Sequence, residues 1–548
     1  MRKSIYTTLA LIAVGIVASA QNLTHTVEVT NTYKREASGI DKPDQLLPLP
    51  DSVSRFNYDF DYTVRSTPYR GAYEFKPYNV LLRPSPRPSS EGRLHATLGA
   101  GYGFHPEASV VWTPLASEKF HLNVYGDYRA YFGHYRDIAY DGSKYFTDSG
   151  NLSADTWKDR LMHIGTNARL DWRNGSLWAD LAYTGTAAKD VWASVANNGV
   201  GVDAGLQGSL NAFHYNVLTH VMYTGNSALN EFHTVTEGSA GYPIGTGDAS
   251  LGLMAETLNF DNGTVSGFAG NFAVTPSYAF AFGQLHVKAG LKVAFMVRSD
   301  DAFCPTKAGI IYPDVYLNYN LLEDALVIQA AATGGNVLNS YEETLSANHF
   351  LGSFAFAPDV TLNRFNLMVG VRGNVKERIH YNIKAGYALK ENARSWGYSA
   401  AAAGYTPLVG YMCPLNTVYV GGSLGWKSDH IDIDANLYYQ YTFKPNPQTE
   451  LQKNLFGPPA FTSKVEALYR FFGGRWKAGL TLDAMTQRPS VNATLPGYAD
   501  LGLKTSFAVN RYWGAWLKLG NILNQSVQRI PFHAEKGLWF SVGASLNL

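Results

Sequence analysis

The chain has 548 residues, a formal net charge of +1 and only 16% charged residues, well below the roughly 25% of soluble globular domains. That balance excludes a basic nucleic-acid footprint, and the lack of any internal apolar run of about 18 residues excludes a helical membrane protein. Aromatics at 14%, with 35 Tyr, 11 Trp and 52 Gly, suit strands that carry interfacial aromatic belts.

Residues 1–20 read as a signal peptide. Arg2 and Lys3 give a positive start, residues 9–17 form an apolar core too short to span a bilayer, and Ala18-Ser19-Ala20 is a small-x-small cleavage site. The mature chain is expected to begin near Gln21, without a lipid-anchored cysteine. Residues 21–92 are punctuated by Pro43, Pro48, Pro50, Pro68, Pro77, Pro84, Pro86 and Pro88. Proline removes a backbone donor and fixes φ, so little autonomous fold is expected here. Only Thr26–Thr30 alternates like a strand. The segment is expected in the periplasm or threaded into a lumen.

From Arg93 onward apolar and polar residues alternate in runs of about 10 to 14. In 284–298, Leu285, Val287, Leu291, Val293, Phe295 and Val297 oppose His286, Lys288, Lys292 and Arg298. In 377–390, Ile379, Ile383 and Leu389 oppose His380 and Lys384; in 430–444, Ile431, Ile433, Leu437 and Tyr441 oppose Asp432 and Asp434. In 119–132, Leu122 and Val124 oppose His121 and Asp127. Period-two runs longer than the usual five or six residues fit tilted strands that cross a bilayer with one face on lipid and one on a polar lumen.

The connections alternate in length, as in barrels with short periplasmic turns and longer outer loops. Short turns are expected near 116–118, 173–175, 214–215, 282–283, 321–323, 375–376, 427–429, 473–474 and 510–511. Long loops are expected at 133–159, 186–199, 299–307, 335–358, 391–414, 445–459, 486–496 and 524–536. This predicts an all-β chain: a transmembrane antiparallel barrel of about 22 strands over 93–548, with 20 or 24 still open because the pattern blurs between 230 and 262. The last stretch alternates to its final residue. Phe540, Val542, Leu546 and Leu548 share one face, as expected of a strand that closes the barrel and signals its insertion.

No His-Glu-x-x-His or Gly-x-x-x-x-Gly-Lys motif is present, which argues against an enzyme, and nothing calls for a cofactor or metal. His121, His286 and His380 read as polar lumen filling. The basic strip Lys288, Lys292, Arg298 and the acidic strip Asp432, Asp434 either pair with each other and with the N-terminal segment or line a solute path. Tyr131, Trp157, Trp172, Trp426, Tyr512 and Trp513, near strand ends, read as interfacial anchors. Cys304 and Cys413 both precede Pro in expected loops; one disulfide or two unpaired thiols are equally compatible with that placement.

The C-terminal region resembles the end of a TonB-dependent receptor barrel. The carrying residues are Trp516-Leu517-Lys518-Leu519-Gly520-Asn521-Ile522-Leu523-Asn524-Gln525, a loop with Pro531, and Gly537-Leu538-Trp539-Phe540-Ser541-Val542-Gly543. Val527, Lys536 and Leu548 depart from the family pattern. That family carries a folded plug of over a hundred residues ahead of the barrel, whereas only 21–92 stand there here. Thr26–Thr30 faintly resembles its short energy-coupling box. The resemblance implies a Gram-negative outer-membrane, porin-like or receptor-like barrel that passes or takes up a solute. Its partners would be outer-membrane lipid, the barrel-insertion machinery and an energy-coupling protein or another outer-membrane or periplasmic subunit, with no nucleic acid. The alternative is a plugless structural or scaffold subunit of an assembly, secretion or envelope complex.

Overall fold

A computed structural model describes residues 93–548, apart from residues 103, 153–156, 190–193, 301–302, 308, 323–324, 352–355, 377, 402–403, 444–445 and 536. The expected signal peptide and the segment 21–92 lie outside the described residues. The described chain forms one antiparallel sheet of 22 strands that closes on itself, so the middle of the three strand counts is the right one. Numbered in order around the barrel, the strands run from β1 (Leu94–Gly101) to β22 (Trp539–Asn547).

Closure follows from hydrogen-bond arithmetic: in lipid every backbone N–H and C=O must find an internal partner, so no edge can be left. β1 and β22 pair antiparallel from His95 with Asn547 to Gly101 with Ser541. The Leu94 and Leu548 amides each donate to the other's carbonyl at 2.8 Å. Inside the seam, the indole of Trp516 lies over the mutually paired Gly99 and Gly543. A Cβ on either glycine would stand 2.3 or 2.1 Å from the indole. Glu107 of β2 (Glu107–Ala116) then bridges the seam, accepting from Lys518 Nζ and Ser541 Oγ, both at 2.6 Å.

Alternation sorts the faces as the sequence predicts. Leu291, Val293, Phe295 and Val297 of β11 (Leu285–Arg298) are exposed on the outer face, as are Leu437, Tyr439 and Tyr441 of β17 (Ile431–Thr442). An apolar band of this extent belongs against acyl chains, as on a membrane-spanning barrel. Strand lengths vary more than expected, from 8 to 17 residues.

Three expected boundaries move. The turn placed at 214–215 is at 211–212, where Asn211 takes φ 55°, a left-handed value that asparagine tolerates in two-residue hairpins. The blurred region holds a hairpin turn at 245–246, with Gly245 at φ 64° between β8 (Leu229–Ile244) and β9 (Gly247–Asp261). The long loop expected at 186–199 is mostly strand: β5 (Gly175–Lys189) and β6 (Ser194–Leu210) run through it. Its residues are small and polar because these strand ends rise past the apolar band, so composition there mimics a loop.

The other long connections are structured. Residues Arg136–Tyr140 pair with Phe146–Leu152, and Ala393–Ala401 with Gly404–Met412. β13 (Leu326–Asn339) leads directly into a short helix, α1 (Tyr341–Ala347). Ser340 caps it by accepting from the Glu343 amide, and Glu342 and Glu343 fill its first turn, the placement that a helix N-terminus favours.

Candidate functional site

The inner wall and the loops above it carry the site. His286, Lys288, Lys292 and Arg298 lie opposite the lipid-facing residues of β11 and face inward. So do His380 and Lys384 on β15 (Ile379–Glu391), and Asp432 and Asp434 on β17. Among the described residues the contacts of the two charged strips are local. Lys288 meets Asp314 at 3.1 Å, Asp432 meets Arg470, and His380 stands 3.7 Å from Asp434. The Arg298 guanidinium donates to the Cys304 carbonyl at 2.8 Å. Pairing is local because neighbouring inner side chains lie about 5 Å apart across a ladder, while opposite walls do not touch.

Phe540, Val542 and Leu548 are exposed on the outer face of β22 or just beyond it, and Leu546 pairs with Ala96 across the seam. Trp172, Trp426, Tyr512 and Trp513 are exposed at strand ends, where anchors are expected. Tyr131 is not an anchor: it is buried, packed edge-on to Tyr135 among loop residues. The side chain of Trp157 lies outside the described residues. Cys304 and Cys413 are two buried free thiols with no bond between them. Burial pushes the Cys304 thiol up to about 12, which suppresses thiolate chemistry.

Two features lay beyond the sequence reading. The first is a lid. Phe146 is buried at the centre of a cluster with Tyr398, Phe456, Ala493, Leu495 and Phe532. These residues come from connections 134–156, 392–414, 443–460, 486–497 and 521–538. Ring centroids of Tyr398 and Phe532 lie 5.0 and 4.8 Å from that of Phe146 in edge-to-face geometry, the favoured arrangement of aromatic pairs. The outer loops therefore have a shared hydrophobic core of their own.

The second is a polar pocket where α1 folds back onto the wall. Glu231, buried on β8, accepts the amides of Tyr341 at 2.6 Å and Glu342 at 2.9 Å. His220 of β7 (Phe213–Asn226) and His233 of β8 both point at Glu342. His220 Nε2 and His233 Nδ1 each stand 3.4 Å from the same oxygen, Glu342 Oε2. The outer nitrogens of the rings face carboxylates: His220 Nδ1 meets Asp203 at 2.7 Å and His233 Nε2 meets Glu256 at 3.5 Å. Burial raises the Glu342 carboxyl, but hydrogen bonds from His220 and His233 outweigh it and bring it down to about 2. No sequence motif announces this pocket, because Glu342 is 122 and 109 residues from the two histidines. The only local sign is that both histidines sit on inner faces of adjacent strands.

No protein-family model matches the chain, and no curated protein matches it. Solved structures do match. The siderophore receptor PirA from Acinetobacter baumannii gives a TM-score of 0.59 at 9% identity, over 84% of this chain and 81% of that one. The copper transporter OprC gives 0.56 at 13%, over 84% and 83%. The FrpB iron transporter from Neisseria meningitidis gives 0.57 at 8%, over 83% and 81%. At such identities the likeness is one of fold. The described chain has the fold of the 22-stranded TonB-dependent receptor barrels.

Proposed function

We propose that this protein is a receptor-type transporter that passes or takes up a solute across the outer membrane. The observation that carries this reading is a 22-stranded barrel with ions on its inner wall and a loop lid at its mouth. Barrels of 16 to 18 strands already leave an aqueous channel, so a wider one needs a lid that opens only for its cargo. The neighbours named as siderophore receptor, copper transporter and iron transporter support uptake. Lipid contacts the outer face, and an energy-coupling protein on the side of the short turns would drive opening. The role is binding and passage, with no bond made or broken.

The test is single-channel conductance in planar bilayers. The mature chain, a chain lacking residues 21–92, and the Phe146→Ala variant are compared. The first should be closed or nearly so, and at least one of the others should show discrete openings. Silence in all three overturns transport. One observation favours a second reading, a scaffold subunit: the lid is knit by five connections around one buried phenylalanine, as a permanent surface would be. Recovery of a stoichiometric membrane or periplasmic partner in gentle detergent, together with silent bilayers, would establish it.

A further inference from the structure

We propose that His220, His233 and Glu342 form a three-ligand site for a divalent transition-metal ion, of the zinc type, on the inner wall beneath the lid. The first argument is geometric. Zinc bonds to imidazole nitrogen and carboxylate oxygen at about 2.0–2.2 Å. The ligands of a tetrahedral ion then stand roughly 3.3–3.5 Å apart. His220 Nε2 and His233 Nδ1 each lie 3.4 Å from Glu342 Oε2, which is that edge length. As hydrogen bonds both contacts are long, since a charge-assisted one usually closes to about 2.7–2.9 Å. All three ligand atoms lie within 4.8 Å of one another.

The second argument is the surroundings of each ring. A metal-bound imidazole usually donates its other N–H to a carboxylate, which fixes the tautomer and aims the lone pair. His220 has Asp203 in that position at 2.7 Å, and the His233 Nε2 faces Glu256 at 3.5 Å, close enough for an electrostatic contact. With those protons on the outer nitrogens, two lone pairs and a carboxylate oxygen face one another, an arrangement that a bound metal cation satisfies. His233 is 1% exposed, and its Nε2 makes no hydrogen bond.

The third argument is charge. Asp203, Glu231, Glu256 and Glu342 surround the two rings. Among the described residues no lysine or arginine pairs with any of them. Glu231 and Glu256 are buried, Glu342 is nearly so and Asp203 is half exposed; buried carboxylates need compensation, and a divalent ion supplies it while leaving a fourth coordination position open toward the lumen. The site joins β7, β8 and α1, so the ion ties the helix to the wall. It stands whether the barrel transports or scaffolds.

The experiment uses the refolded, tag-free mature chain stripped with chelator and dialysed against Zn2+ alone, then against Co2+. One ion per chain is expected, with cobalt absorption of the intensity of a four-coordinate site. His220→Gln and Glu342→Gln should each weaken binding at least tenfold, and Asp203→Asn about 10- to 100-fold, as for orienting carboxylates elsewhere. His286→Gln, on the same inner surface outside the cluster, should bind like the parent. Heat-modifiable mobility of every variant checks folding. Absence of stoichiometric Zn2+ and Co2+, or equal binding by the parent and the two ligand variants, overturns the site and leaves the histidines as protonated ion-pair partners.

Discussion

At the scale of single residues, the seam and the lid each depend on one aromatic ring. Trp516 crosses the closing pair only because Gly99 and Gly543 have no side chain. A Cβ at Gly543 would also meet the Leu98 carbonyl at 2.4 Å. Gly543→Val should therefore lower the yield of closed barrel sharply, seen as loss of the heat-modifiable band on gels; an unchanged band would show that the indole can leave. Phe146 touches rings from three other loops. Removal of a buried phenylalanine costs about 3–5 kcal/mol where the site cannot collapse. Phe146→Ala should thus expose the outer connections to protease at the cell surface while the strands stay protected. The turn after β21 (Trp513–Gly520) has a similar residue-level cause. Asn521 and Asn524 take φ 46° and 49°, and the Asn521 side chain holds Gln525 through bonds of 2.7 and 2.9 Å. The Asn-x-x-Asn signature in the sequence is thus a left-handed turn with its own side-chain clamp.

Among elements, β22 and α1 matter most. Truncation of Phe540–Leu548 leaves β1 and β21 as two long unpaired edges in lipid, where each orphaned backbone group costs several kcal/mol. The truncated chain should fail to assemble, read as protease sensitivity and absence from the outer-membrane fraction; normal insertion would overturn the role given to the last strand. α1 has only 7 residues, too few to be helical alone in water. It is held by Glu231, whose carboxylate takes two of its first amides. Hydrogen bonds to a charged group contribute about 1.5–3 kcal/mol each. Glu231→Gln keeps the shape and removes the charge, so hydrogen exchange at 341–347 should quicken by an order of magnitude or more, with the β8 ladder unchanged.

At the scale of the whole molecule, the two faces obey opposite rules. A cation on the lipid face near the bilayer midplane costs about 2–4 kcal/mol. Val293→Arg should shift guanidinium unfolding in liposomes by that amount. Removal of an inner-wall charge such as Lys288 should shift it less, since that side chain is over a third exposed to the lumen and its pair with Asp314 is screened. Equal shifts for the two would mean that the faces have been assigned the wrong way round.

The strand pattern was legible because it is local. Side chains alternate every residue, lipid demands an apolar outer face, and backbone groups demand closure. Those three constraints let the sequence alone determine an antiparallel barrel of about 22 strands, the inward set from His286 to Asp434, and the closing role of the final strand. It misjudged 186–199, because strands that rise out of the bilayer lose the apolar half of the pattern. It assigned Tyr131 to the interface, because ring chemistry does not tell which neighbour a ring will meet. Only the tertiary structure decided that the lumen charges pair with adjacent strands, that Cys304 and Cys413 stay apart, that five connections converge on Phe146, and that Glu342 descends between His220 and His233. Each of these joins residues far apart in sequence, and such contacts are fixed by barrel circumference and loop path, neither of which has a local signature.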